Sequence, residues 1–483
     1  MRSASQRRSR ASRCFLIPRG LLTRVARAPP FRRSAVVTQD CVFSPRWCMR
    51  AGPRQKLALD PLTVRAAVVT CGGLCPGLND VIRQIVTTLE SGYGVSDIVG
   101  VPYGYRGFFE PGLEMKPLSR RVVQNIHLEG GSILGTSRGG GDVPKIVDSI
   151  MERGINALFL LGGNGTHAGA QAITDECMRR GYRCAVVGVP KTIDNECVAP
   201  RSGAAQPRLF APRVFSAKKS EIIALLTHTH FVRPLHSILY IDKTFGFDTA
   251  VEEAQRALRA ASIEAKSAYR GVGVVKLMGR QSGFIATYAS IASGEVDICL
   301  IPEVNFQVDG DVGILQHVKH LIETQGHAII CLAEGAGQDY VASTGTDASG
   351  NPILGDIGVW MCKKIRKELG ADVKYIDPTY MVRGCTANAH DKVYCNILGQ
   401  NAAHAAMAGF TGISVGLVNT HYVYLPIPML IAKPRFVDPN SRMYQARNNI
   451  LLLFLRLCVC ESELTRYASP QRLLSSTGQP DFM

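Results

Sequence analysis

The sequence has no apolar run long enough to cross a bilayer. The longest, Ile450 to Cys460, has 11 residues and contains Arg456, where a spanning helix needs roughly 18 or more. No membrane association is therefore expected. A disulfide framework is also lacking. The 15 Cys are odd in number and mostly sit singly in apolar segments, as Cys299, Cys331 and Cys395 do, the habit of free thiols in a reducing compartment. Cys71 and Cys75 share a turn but lack the second pair and the His partners of a zinc site. Acid is nearly absent from residues 1–54, which hold 13 Arg and only Asp40. Residues 196–237 carry six Lys or Arg against two Glu, so these two stretches account for the whole net charge of +16. The rest is neutral, which argues against a nucleic-acid face on the main fold.

What is present reads as α/β. At 483 residues with 46% apolar and 19% charged residues, the chain suits two or three globular domains. Residues 1–50 are rich in Arg and Ser and have the composition of an organelle transit peptide. A basic disordered tail, or a misplaced start codon, is the alternative. From about residue 60, short apolar runs alternate with amphipathic stretches, the pattern of parallel sheets covered by helices. Strands are expected at 64–70, 97–101, 157–161, 184–189, 272–278, 298–301, 328–333 and 413–418, and helices at 78–91, 166–180 and 247–269. Ligands in such sheets bind at the carboxyl ends of strands.

Four turns at those ends carry chemistry. Residues 71–79 read CGGLCPGLN, where Gly72, Gly73 and Gly77 let the backbone approach an anion ahead of a helix N-terminus. Residues 135–142 read GTSRGGGD and set Arg138, a fork-shaped hydrogen-bond donor suited to phosphate oxygens, among glycines. Residues 162–170 read GGNGTHAGA, in which glycines, the Thr166 hydroxyl and a helix start make the best single anion cradle in the chain. Residues 190–195 read PKTIDN, and Asp194 there can orient and deprotonate a hydroxyl. Taken singly, each turn has a plainer reading: a tight connection, a solvated loop, or a helix cap.

Taken in order, the runs VVTCGGLCPGLND, GVPYGYRGF, ILGTSRGGGD, FLLGGNGTHAGA, VGVPKTIDN, IDKTFGFDTAVEEAQRA, VVKLMGRQSGFIA, ICLIPEV, LAEGAGQ, YIDPTYMVR and STGQPDF closely resemble 6-phosphofructokinases of the plant type, over about 350 residues. The resemblance implies two α/β/α (Rossmann-like) lobes with the active site in the cleft between them. An ATP-binding lobe would span 60–245 plus about 386–430, and a fructose 6-phosphate lobe 246–385. Gly72, Gly73, Arg138, Gly139, Gly163, Asn164, Gly165 and Thr166 resemble the ATP contacts. Thr192, Ile193 and Asp194 resemble the sugar-binding and catalytic strand end, with Asp194 as the general base. Met278, Gly279, Arg280, Glu334, Tyr380, Met381, Val382 and Arg383 resemble the residues that hold the sugar phosphate.

The resemblance also implies ATP as donor, because Gly165 stands where a carboxylate would repel the α-phosphate; Lys191 is neutral on this point. Mg²⁺ is expected with ATP, although Asn164 replaces the usual Asp and leaves the metal to the phosphates and Asp194. A homo-oligomer, dimer or tetramer, follows from the same likeness. The transit-peptide composition suits plastid or mitochondrion alike; a plastid location is expected, with the cytoplasm as the alternative. Two segments depart from it, 196–237 and 446–472, before a tail at 473–483. They read as translated intron or misjoined sequence, or as regulatory loops. Pyrophosphate as donor, or a non-catalytic regulatory subunit, are the alternatives to an ATP-dependent kinase.

Overall fold

A strand covered on both faces must be apolar on both, so parallel strands in α/β folds read as continuous apolar runs. The computed structural model describes residues 48–194, 213–214, 231–232, 241–341, 345–346, 353–431 and 435–439. The larger sheet contains β1 (Cys48–Arg50), β2 (Arg65–Thr70), β3 (Asp97–Val101), β4 (Lys116–Pro117), β5 (Ala157–Gly162), β6 (Ala185–Pro190), β8 (Phe231–Val232), β14 (Ile413–Val418) and β15 (His421–Pro426). Its order is β4-β3-β2-β5-β6-β14-β15-β1-β8. The centre is parallel and the margins antiparallel. A smaller parallel sheet, ordered β10-β11-β9-β12, is built from β9 (Gly271–Leu277), β10 (Ile298–Leu300), β11 (His327–Ala333) and β12 (Asp372–Ile376). A separate pair joins β7 (Arg213–Val214) to β13 (Phe410–Thr411).

The helices that cover these sheets are α1 (Leu78–Thr87), α2 (Val143–Glu152), α3 (Asn164–Arg179), α4 (Phe247–Ser267), α5 (Phe284–Ser293), α6 (Ile314–Gln325), α7 (Ile357–Leu369), α8 (Thr379–Gly384) and α9 (Ala389–Met407). Strand alternation divides the core between the two faces. Ala66, Val68, Phe159 and Leu161 face one cluster with residues of α1 and α9. Ala67, Val69, Leu158 and Leu160 face another with residues of α2 and α3. In the smaller sheet Val275, Leu277 and Ala333 belong to the first of these clusters, with residues of α4 and α5. Val272, Val274 and Ile330 pack instead with α6 and α7. One apolar layer thus runs continuously from the first sheet to the second.

All eight expected strands are present, shifted by at most a residue or two. The smaller sheet lies wholly within residues 271–376, while the larger draws strands from both sides of it in sequence. The basic tail expected at 1–50 lies outside the described residues except for Cys48–Arg50. Met49 and Arg50 pair with β15 and Cys48 and Met49 with β8, which buries Cys48 and Met49, so the larger sheet includes residues from within the expected tail. An Arg-rich context concealed two apolar residues too few to read as a strand. Of the 196–237 segment, only 213–214 and 231–232 are described; 446–472 and 473–483 lie outside.

Candidate active site

Three strands of the larger sheet end in glycine turns or polar turns on one edge. β2 runs into Gly72 and Gly73, β5 into Gly163 and Asn164, and β6 into Lys191, Thr192, Ile193 and Asp194. From the smaller sheet β9 runs into Met278 and Arg280, and β11 into Glu334. These ends, with Arg138 and Gly139 from the glycine loop and Arg383 from α8, line one cavity of about 810 Å³.

Helices at this edge lack side-chain caps. α1 starts after Gly77 in the left-handed conformation (φ 96°), and α3 after Gly163; neither N-cap position supplies a side-chain acceptor. Leu78 N of α1 donates to Cys75 O at 3.4 Å; the other first-turn amides have no intrahelical acceptor, and the dipole adds partial positive charge. Gly165 lies exposed in the first turn of α3, with no atom within 4 Å of where a Cβ would stand. Tyr105, buried, donates its hydroxyl to Thr166 O at 2.7 Å and so pins that first turn.

Short hydrogen bonds set the remaining turns. Gly72 N donates to Ser137 O at 2.9 Å, which holds the Arg138 loop against the first glycine turn. Lys191 Nζ donates to Gly73 O at 2.6 Å. A Cβ on Gly73 would lie 3.7 Å from Arg138 Nη2 and 3.9 Å from Arg383 Nη1, so this glycine stands between two guanidinium groups. Asp194 N donates to Thr192 Oγ1 at 3.3 Å. Asp194 O accepts from Ser282 Oγ at 3.2 Å, a bond that ties the end of β6 to the turn after β9. Thr244 Oγ1 donates to Thr192 O from beyond the 196–237 segment.

The charges lining the cavity are cationic in excess: Arg138, Lys191, Arg280 and Arg383 against Asp194 and Glu334. Burial lowers the pKa of Lys191, with the Arg138 charge adding to it and Cys75, Cys71 and Asp194 opposing. Burial pushes the Cys71 thiol up to about 12, against the pull of Lys191, so it is a neutral thiol rather than a nucleophile. A cavity with this balance suits a polyanion.

Four of the expected site residues do not line the cavity. Val382 packs in the core, the inward-facing residue of α8. Met381 and Tyr380 are 71% and 78% exposed, because successive positions on so short a helix point in different directions. The Tyr380 ring instead supports the Arg383 guanidinium, 4.8 Å from the ring centre. Gly279 (φ 138°) makes the turn that aims Arg280, and a Cβ there would stand 2.3 Å from Ser282 O. Residues not singled out from the sequence also line the cavity, among them Tyr105, Ser137, Gln281 and Ile431. Tyr105 and Ser137 fall inside conspicuous motifs; Ile431 carried no signal.

A family profile described as Phosphofructokinase matches residues 65–201 and 237–406. The chain belongs to the phosphofructokinase family. The internal stretch between the two matched parts, 202–236, falls inside the segment that departs from the plant-type pattern. The chain is 54% identical to "ATP-dependent 6-phosphofructokinase 5, chloroplastic" of Arabidopsis thaliana, covering 94% of this chain and 73% of that relative. It is 44% identical to "ATP-dependent 6-phosphofructokinase 7" of the same plant, over 90% of this chain and 77% of the relative. A bacterial ATP-dependent 6-phosphofructokinase, from Borreliella burgdorferi, is 41% identical over 82% and 83%. Among solved structures, the pyrophosphate-dependent phosphofructokinase of Marinobacter aquaeolei superposes with a TM-score of 0.61 at 16% identity, covering 81% of this chain and 91% of that one. The Pichia pastoris phosphofructokinase gives 0.57 at 21%, covering 76% and 35%. These two likenesses carry the phosphofructokinase fold and nothing finer.

Proposed function

We propose that this phosphofructokinase transfers the γ-phosphoryl group of ATP to the 1-hydroxyl of fructose 6-phosphate, the committed step of glycolysis. The observation that carries the reading is the convergence of both residue sets on one cavity. The glycine turns, Arg138 and the uncapped start of α3 line its wall on the larger-sheet side. Arg280, Glu334 and Arg383 line it from the smaller sheet and α8, and Asp194 stands at the end of β6 between them. In this geometry Asp194 accepts the proton of the attacking hydroxyl, Arg280 and Arg383 clamp the sugar phosphate, and Glu334 accepts from sugar hydroxyls. Catalysis rests on positioning and on charge compensation at the transferred group.

Among the described residues no group of three His, Cys, Asp or Glu could hold a metal by itself. Beside the phosphate cradle the cavity offers the Asp194 carboxylate and the Asn164 amide, with Glu334 on the smaller-sheet side, a donor set that fits a Mg²⁺ arriving with the nucleotide rather than a resident ion. Asp194 and the Asn164 side-chain oxygen would hold it, and bound there it would neutralise phosphate charge. The open space at Gly165 supports ATP over pyrophosphate. Asn164 and the 196–237 segment are the grounds for a non-catalytic subunit; the cavity lining of Asp194, Arg280, Glu334 and Arg383 supports an active enzyme instead. The chloroplastic relative and the Arg-rich first 50 residues support a plastid location, and the family supports a homo-oligomer.

The decisive experiment is a donor comparison with the purified protein. Turnover with ATP and none with pyrophosphate is expected; the reverse would overturn the donor assignment. Asp194→Asn should lower turnover about 100- to 10,000-fold while fructose 6-phosphate affinity stays within a few-fold. Near-normal turnover would make Asp194 structural only.

A further inference from the structure

Arg383 reaches the cavity from α8, a helix of six residues that buries only Val382. A helix so short does not persist by itself, so its direction is set from its ends. At the N-terminal end, Asp377 Oδ1 accepts from Thr379 N at 3.1 Å and from the Thr379 hydroxyl at 2.5 Å. The other oxygen of the same carboxylate lies 2.8 Å from Lys276 Nζ. Lys276 belongs to β9, the strand that continues into Met278 and Arg280, and β12 pairs alongside with Ile376 opposite Val275. The lysine side chain is only 13% exposed and also meets Asp356 Oδ2 at 3.0 Å. Asp356 caps α7, and its other oxygen accepts from the Tyr375 hydroxyl at 3.2 Å.

Lys276 itself does not line the cavity, yet it joins the two pieces of backbone that deliver Arg280 and Arg383 to it. We propose that Lys276 is a positioning residue for Arg383, acting through its ion pair with Asp377 and the hydrogen bonds that Asp377 accepts from Thr379, the first residue of α8. The proposal rests on the reading that Arg383 binds the phosphate of the acceptor sugar. Without the lysine, the Asp377 carboxylate faces β9 uncompensated and turns toward water, which releases its hold on Thr379. α8 then loses its fixed direction, and the Arg383 fork leaves the plane that bidentate phosphate binding needs. Arg383 Nη1 comes near Gly73, but the donor-side turns themselves are built on the larger sheet and keep their positions.

The test is steady-state kinetics of Lys276→Met in the full-length protein. Its KM for fructose 6-phosphate should rise about tenfold, the order expected of a displacement below an ångström. The KM for ATP should stay within about twofold and kcat within about threefold, and Lys276→Arg should restore most of the affinity. Asp356→Asn removes the other partner of Lys276 on a helix with no cavity residue, and should leave the fructose 6-phosphate KM within about twofold. If Lys276→Met does not fold, Asp377→Asn replaces it: asparagine can still accept from Thr379 but cannot pair with the lysine, so a rise in the same KM alone is expected. Equal rises in both KM values, or no rise, would overturn the proposal. Arg383→Ala separates the two readings. If it leaves the fructose 6-phosphate KM unchanged, the role of Arg383 fails; if it raises that KM while Lys276→Met does not, only the positioning fails.

Discussion

Gly73→Ala should leave the fold intact and disable the site. Gly73 does not adopt a positive φ, so alanine is compatible with its backbone. The added methyl meets only Arg138 Nη2 at 3.7 Å and Arg383 Nη1 at 3.9 Å, ordinary contact distances. On folding grounds the change should be neutral or stabilising by about 0.4–1 kcal/mol, because alanine restricts the unfolded chain. Function is another matter. A phosphate oxygen bonded to a guanidinium needs to come within about 2.9 Å of its nitrogens, and the methyl occupies the space between two such groups. The anion must withdraw by about 1 Å, or one arginine must swing away, and a displacement of that size costs on the order of 100-fold in rate. The assay is kcat/KM for each substrate, read by coupling fructose 1,6-bisphosphate formation to aldolase, alongside thermal unfolding. A variant with an unchanged or raised Tm and a loss of about 100-fold supports the reasoning. A variant within about threefold of the parent would refute it, since the space between Arg138 and Arg383 would then not be where a phosphate sits.

Gly165→Asp should raise the KM for ATP at least about tenfold without loss of Tm. The new carboxylate enters open space facing the donor, and in the first turn of α3 it is favoured by the helix dipole. An unchanged ATP KM would detach Gly165 from donor choice. Asp80, buried on α1, has its carboxyl pushed up to about 6 from 3.8, by burial first, against the Lys392 charge. A raised folded pKa means stability present below pH 3.8 and lost as pH climbs through 6, roughly 3 kcal/mol in all and about 1.4 kcal/mol of it between pH 5 and pH 8. Asp80→Asn should therefore gain stability relative to the parent as pH rises from 5 to 8, as measured by chemical unfolding. A gap independent of pH would show that Asp80 is not ionising in that range.

Much of this was legible without coordinates. Strands β2, β5 and β6 are buried along their length, and burial on both faces forces an apolar run that a reader can find. The phosphate turns were legible for a related reason: backbone that must approach an anion calls for glycine, and glycine is visible. Gly279, Tyr380, Met381 and Val382 were expected at the site from their likeness to sugar-phosphate contacts, and they do not line the cavity. Adjacency in sequence says nothing about which way neighbouring side chains face on a turn or on one turn of helix.

The hairpin of β14 and β15 marks the boundary between the two kinds of information. Its turn, Asn419–Thr420, holds both residues at positive φ, 47° and 66°. Two-residue hairpins favour that conformation, but glycine normally supplies it, so the sequence offered no turn signal and β15 was missed. Here the cost is offset from far along the chain, by Asp242, whose carboxylate oxygens accept from Asn419 N at 2.9 Å and Thr420 N at 2.8 Å. The amino-acid order alone determined the fold class, the central strands and the phosphate-binding turns, because periodicity and glycine placement are local properties. The antiparallel margin of the large sheet, the meeting of Arg138 with Arg383 across Gly73, and the Lys276–Asp377 tether were decided only in three dimensions, because each joins groups that sequence separation hides and packing alone brings within a few ångströms.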